Sequence, residues 1–259
     1  DAMPIDWHNR SMTHAPTWLI ANWKMHGSMA QIEAWMQAVR TSMLAADPDD
    51  AFHVVLCPPA PYLAQAGQSA CGARGIAVGA QHCHPLASGA HTGEISAPML
   101  AEMGCRYVIV GHSERRAMGE SDAAIRTAAD AVIAAGMLPV ICLGESRSAY
   151  EEGQTEAALR AQMVTLNGLP MEKFLIAYEP VWAIGSKQTP QGAEIVAAHR
   201  VIKSVLGSAT DVLYGGSVNP SNIAQIMALA EVSGALIGGA SLDGASMAAM
   251  VETVANLRG

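Results

Sequence analysis

The sequence predicts a (β/α)8 barrel, and three observations predict it. Eight short apolar runs recur along the 259 residues. Each run is nearly continuous in apolar character, as strands buried on both faces are, rather than alternating. The stretches between them carry helix start and stop residues, with room for about one helix after each run. Eight such units in about 240 residues match the count and length of that barrel. A doubly wound open sheet is the rival, and the pattern alone does not exclude it.

The runs cover residues 18–21, 52–57, 76–80, 107–110, 138–143, 174–178, 212–214 and 235–237. Four helices have clear punctuation. Ser121-Asp122 opens a helix over 123–135, and Gly136 closes it. Pro190 opens one over 194–206, closed by Gly207. Pro220 precedes one over 222–230, and Gly244 precedes one over 245–257. The long polar connection over 82–94 has no period, and a loop of that length in a compact domain is usually functional. Residues 1–15 mix Trp7, His8, Asn9 and Arg10 with Met and Pro in no period. They read as a tail or expression remnant, leaving 16–259 as one barrel domain.

Composition sets limits. Hydrophobic residues make up 51% and charged residues 15%, which excludes a disordered chain. Aromatics are only 5%, so the core must be aliphatic. The net charge of −8 leaves no basic footprint for nucleic acid. No apolar run reaches the ~18 residues that span a bilayer, and no signal peptide is visible. Five widely spaced cysteines with no Cys-x-x-Cys suggest a reduced, cytoplasmic setting.

In such a barrel, reacting groups sit just past the C-terminal ends of strands. Asn22-Trp23-Lys24 follows the first run. Gly111-His112-Ser113-Glu114 follows the fourth, and Glu179-Pro180 the sixth. Gly215-Gly216-Ser217 follows the seventh, and Gly238-Gly239-Ala240-Ser241 the eighth. One cation, one imidazole, one carboxylate and two Gly-Gly turns therefore meet on one face. Glycine lets backbone N–H groups approach an oxyanion, and the loops after strands seven and eight are the usual phosphate cradle. Glu179 at the end of an apolar strand suits a general base, or a carboxylate held by a neighbouring cation.

These residues resemble one family, triosephosphate isomerase. The resemblance is carried by Ala21-Asn22-Trp23-Lys24-Met25, Ser88-Gly89-Ala90-His91-Thr92-Gly93-Glu94-Ile95-Ser96, Val110-Gly111-His112-Ser113-Glu114-Arg115-Arg116, Ala177-Tyr178-Glu179-Pro180-Val181-Trp182-Ala183-Ile184-Gly185, Tyr214-Gly215-Gly216-Ser217-Val218 and Ile237-Gly238-Gly239-Ala240-Ser241-Leu242. It runs in the family's order from about Pro16 onward. The resemblance implies interconversion of dihydroxyacetone phosphate and glyceraldehyde 3-phosphate, a 1,2 proton shift through an enediolate, in glycolysis and gluconeogenesis. It implies Glu179 as the base, neutral His112 as donor to the substrate oxygens, and Lys24 and Asn22 as partners of the anion. The phosphate would rest on backbone N–H groups of Gly185, Ser217, Gly238 and Gly239. Residues 180–190 would form a lid. The loop around Thr92 would enter a partner subunit, so a homodimer is expected. No cofactor and no metal are implied.

Some residues depart from the family. Lys187-Gln188 stands where Gly-Lys is usual, and Pro190 lacks an N–H for any lid-closing bond to Tyr214. His26 and His82 replace the usual Asn near the expected subunit contact. His82-Cys83-His84 resembles a metal cluster but lacks a complete ligand set. Glu114 reads as a partner of Lys24, Glu145 as a further carboxylate of the same face, and Cys142 as packing. Two other readings compete: a phosphosugar barrel enzyme for a larger substrate, and a catalytically silent barrel kept as an interaction protein. The short lid and the neighbourhood of Glu179 weigh against the first, and the presence of Glu179, His112 and Lys24 weighs against the second.

Overall fold

The computed structural model describes residues 15–46, 51–184 and 190–258. Eight parallel strands close on one another in chain order. They are β1 (Thr17–Asn22), β2 (Phe52–Cys57), β3 (Ile76–Ala80), β4 (Tyr107–Val110), β5 (Leu138–Leu143), β6 (Leu175–Tyr178), β7 (Val212–Tyr214) and β8 (Gly234–Ile237). The expected runs match these strands to within a residue or so at each end. The open-sheet rival falls, because β1 pairs with both β2 and β8.

The continuous apolar runs have a simple cause. Successive side chains of a strand point to opposite faces, and in this barrel both faces are dry. Trp18 and Ile20 join Val55, Ile109, Val140, Cys142 and Leu213 inside the barrel. Leu19 and Ala21 face outward into a second cluster under the helices. Gly234 lets the circle close, since a Cβ there would overlap the Trp18 carbonyl oxygen of β1.

The outer layer holds α1 (Met29–Ala46), α2 (Leu63–Ala70), α3 (Ala97–Glu102), α4 (Ser113–Ala117), α5 (Asp122–Ala134), α6 (Arg147–Glu151), α7 (Thr155–Met163), α8 (Gly192–Leu206), α9 (Ile223–Met227) and α10 (Gly244–Arg258). One helix per strand is corrected here: β4 and β5 are each followed by two. The short extra helices α4 and α6 lie at the strand ends that carry the site. The expected helix 222–230 is also shorter, because α9 stops at Met227 and Glu231 turns back at a φ of 70°. Local capping explains the starts. The Ser121 hydroxyl accepts the Ala124 N–H, and Gln191 with Glu194 forms a capping box at α8.

Candidate active site

Asn22 closes β1 and is buried, and its Oδ1 accepts the Lys24 backbone N–H at 3.1 Å. Lys24 has a φ of 51°, a left-handed conformation that residues with a Cβ seldom adopt. Such backbone clusters where a site over-determines it. Gln81, which sequence reasoning missed, holds this turn by donating to the Lys24 and Cys57 carbonyls, each at 2.9 Å. The Lys24 Nζ reaches Glu114 Oε1 at 2.7 Å. Partial burial raises the Glu114 carboxyl, but the hydrogen bond and charge of Lys24 outweigh it and hold it below the ordinary carboxylate range.

His112 caps α4. Its Nδ1 accepts the Glu114 N–H at 3.2 Å. A backbone N–H can only donate, so this contact assigns a lone pair to Nδ1 and the proton of the neutral ring to Nε2. Nε2 lies 3.0 Å from Glu179 Oε1. The second Glu179 oxygen accepts the Ser113 N–H at 2.9 Å. Glu179 is only 2% exposed, and its own N–H donates to Leu143 O at 2.7 Å. Asn22, Lys24, Glu114, His112 and Glu179 thus form one hydrogen-bonded line across the barrel mouth.

The glycines have roles that sequence reasoning did not separate. A Cβ on Gly215 would lie 2.8 Å from Glu179 Cγ, and one on Gly144 would overlap the Glu179 carbonyl oxygen. A Cβ on Gly216 would overlap the Tyr214 hydroxyl. These three glycines therefore make room for Glu179 and Tyr214, whatever their backbone N–H groups do. Gly238 adjoins Lys24, whose Cε would be 3.6 Å from a Cβ there, while Gly239 faces open space. The Ser241 carbonyl accepts from the Trp23 and Trp35 indoles at 3.2 and 2.8 Å, which holds the turn after β8. Ser217 is half-buried, and its carbonyl accepts from Asn222 Nδ2 at 2.9 Å. Gly185, Lys187 and Gln188 lie outside the described residues, as do residues 1–14.

The sequence marked Glu145 but not its work. Its Oε1 accepts from the Trp182 indole at 2.7 Å and the Tyr178 hydroxyl at 3.1 Å. These partners flank Glu179 in the chain. Burial raises the Glu145 carboxyl above its ordinary range despite those bonds. Cys142 is fully buried beside Glu179, and burial pushes its thiol well above the usual range, as packing requires and nucleophilic attack does not.

The 82–94 connection is irregular apart from the bridge between His84 and Ser96. Thr92 lies exposed on it. His82, Cys83 and His84 have separate partners. His82 meets Arg115 at 3.0 Å, Cys83 is buried, and His84 stacks on His91 at 4.1 Å between ring centroids. Among the described residues no group of three or more His, Cys, Asp and Glu side chains could hold a metal ion. Nor is any described helix long and apolar enough to cross a membrane. Pro190 is buried at the head of α8, and the Tyr214 hydroxyl has no hydrogen-bond partner among the described residues.

Comparison with known proteins points to one family. The family described as triosephosphate isomerase matches residues 17–254. A triosephosphate isomerase of Acidiphilium cryptum is 42% identical over 259 residues, which cover 93% of this chain and 99% of that protein. One of Bradyrhizobium diazoefficiens is 44% identical over 255 residues, covering 93% and 99%. The crystal structure of triosephosphate isomerase from Bartonella henselae superposes with a TM-score of 0.81 at 33% identity, covering 92% of this chain and 98% of that one.

Proposed function

We propose, from the premise that the chain belongs to the triosephosphate isomerase family and interconverts dihydroxyacetone phosphate and D-glyceraldehyde 3-phosphate, that Glu179 is the base of the reaction. The observation that carries this reading is the pair of a buried Glu179 carboxylate and a His112 Nε2 at 3.0 Å. Glu179 takes a proton from the carbon beside the substrate carbonyl. The electron pair of the broken C–H bond forms the enediolate double bond, and the carbonyl π electrons move onto oxygen. Neutral His112 donates its Nε2 proton toward the substrate oxygens. Lys24 faces the developing oxyanion, and Asn22 holds Lys24 through its backbone. His112 passes the hydroxyl proton from one substrate oxygen to the other, Glu179 returns its proton to the adjacent carbon, and the first carbon becomes the new carbonyl. Preorganised donors of this kind are worth most where water is excluded.

The phosphate rests on backbone N–H groups of Gly185, Ser217, Gly238 and Gly239. Ser217, Gly238 and Gly239 lie on the turns after β7 and β8, and the Lys24 stem beside Gly238 supports this placement. Residues 180–190 serve as the lid. No cofactor takes part in this scheme.

The chain acts as a homodimer through the Thr92 loop. Exposed Met25, Leu86, Met99, Met103 and Met118 follow β1, β3 and β4, and such apolar surface suits a second copy. Met25 is 92% exposed. Its setting is the cytoplasm, where its five cysteines stay reduced, and all five are free thiols here.

The test is a coupled assay with glyceraldehyde 3-phosphate on the purified protein beside Glu179→Gln. Turnover abolished by the substitution supports the base. Wild-type turnover in the variant removes Glu179 from the mechanism. Sedimentation of the wild type and of a Thr92 loop deletion tests the dimer; a monomeric wild type overturns it.

A further inference from the structure

Tyr150 belongs to α6 and takes part in none of the chemistry described so far. Its ring lies on the Trp182 indole, with centroids 3.8 Å apart and planes 17° from parallel. Its hydroxyl donates to Glu194 Oε1 at 2.8 Å. The other Glu194 oxygen accepts the Gln191 N–H at 2.7 Å and so starts α8. One side chain therefore joins the turn just after Glu179 to the first turn of the next helix.

Trp182 is held at three points by the segment after β5. Glu145 takes its indole N–H, Arg147 donates to its carbonyl at 2.8 Å, and Tyr150 covers its ring. Trp182 sits in the 3-10 turn Val181–Ala183, which begins two residues past Glu179, and the Ala183 N–H closes that turn on the Pro180 carbonyl at 2.8 Å. The backbone on the other side of Glu179 is fixed by its N–H to Leu143. Glu179 thus lies between a backbone bond to Leu143 and a turn whose Trp182 is held by the segment after β5. The Glu145 contact is one bond at the edge of a large ring. The Tyr150 ring is the aromatic contact on its face.

We propose that Tyr150 is a positioning residue for the isomerisation: by stacking on Trp182 and anchoring to Glu194, it holds the turn after Glu179 and so fixes the backbone from which the base reaches the substrate. The proposal rests on the reading of Glu179 as base. The stack is the main agent, and the hydroxyl aims the ring. Small displacements of a reacting group cost rate steeply, so loss of the ring lowers kcat more than it lowers stability.

The experiment compares Tyr150→Ala and Tyr150→Phe with the wild type, using the full chain. It measures kcat and KM for glyceraldehyde 3-phosphate, the thermal midpoint, and 19F spectra of protein carrying 5-fluorotryptophan. The Trp182 resonance is assigned by its loss in Trp182→Phe. The expected result is a fall in kcat of about tenfold for Tyr150→Ala, a displaced Trp182 resonance, and a cooperative thermal transition. Tyr150→Phe keeps the stack, so it restores most of kcat and the wild-type resonance. The proposal is overturned if Tyr150→Ala keeps kcat within about twofold, if its Trp182 resonance is unmoved, or if Tyr150→Phe is as slow as Tyr150→Ala. Glu179→Gln in the same assay separates the two readings. Activity retained there removes the base, whereas an inactive Glu179→Gln beside a fast Tyr150→Ala removes only the role of Tyr150.

Discussion

The Glu179 carboxylate lies across the amino end of α4, its Oε2 taking the Ser113 N–H at 2.9 Å. That end of a helix favours a negative charge, so the contact is a stable resting place for the base. In the proposed reaction, Glu179 exchanges it for the substrate C–H. The reach of the side chain is then decisive. Glu179→Asp keeps the charge and withdraws it by about 1.5 Å, one carbon–carbon bond. The expected result is a fall in kcat of about a hundredfold with little change in KM. Steady-state kinetics check it, and an unchanged kcat removes the base assignment.

Gly215 shapes the pocket for the same side chain. A Cβ there would stand 2.8 Å from Glu179 Cγ, so Gly215→Ala pushes the carboxylate from its place. The expected outcome is a loss of about tenfold in kcat with a stability cost of about 1–3 kcal/mol, the range for overpacking. Denaturant melts beside the assay read the two effects separately.

Glu114 tests the ion pair with Lys24. Both side chains are partly open to solvent, so the pair contributes at most about 1 kcal/mol to stability. Glu114→Gln is therefore expected to melt like the wild type. Its kcat/KM falls several-fold, because Lys24 loses the charge that aims it. A shift in melting without a change in kcat/KM contradicts this.

His199 sets an acid limit. It is buried between α8 and β6, with its ring edge-on to Tyr178 at 5.8 Å. Burial pushes its pKa down from 6.5 to about 4, and Lys203 adds to that effect against the Glu231 carbonyl. The folded state therefore keeps His199 neutral while the unfolded chain protonates first. The associated stability is complete above pH 6.5 and is lost as pH falls from 6.5 to about 4. The loss amounts to about 3 kcal/mol. Guanidinium melts at fixed protein concentration across this window measure it. His199→Gln is expected to flatten that part of the profile, and an equal slope in the variant refutes the assignment.

The strands were legible because their physics is local. A strand buried on both faces writes an unbroken apolar run, and eight such runs can be read off residue by residue. The strand-end rule then picked out Asn22, Lys24, His112 and Glu179, which the structure joins through Glu114 in one hydrogen-bonded line. The helix 222–230 was read too long, because nothing local announces the left-handed turn at Glu231 that follows it.

What the sequence by itself determined about this chain is which residues are apolar in runs, which polar groups end those runs, and which motifs it shares with its family. Only the tertiary structure decided what each of them touches. Gly215 is needed by Glu179, Glu145 grips Trp182 from 37 residues away, and Tyr150 bridges Trp182 and Glu194. The physical reason is range. Burial and periodicity act between neighbours in sequence, whereas hydrogen bonds and steric limits across a barrel mouth join residues that the chain keeps far apart.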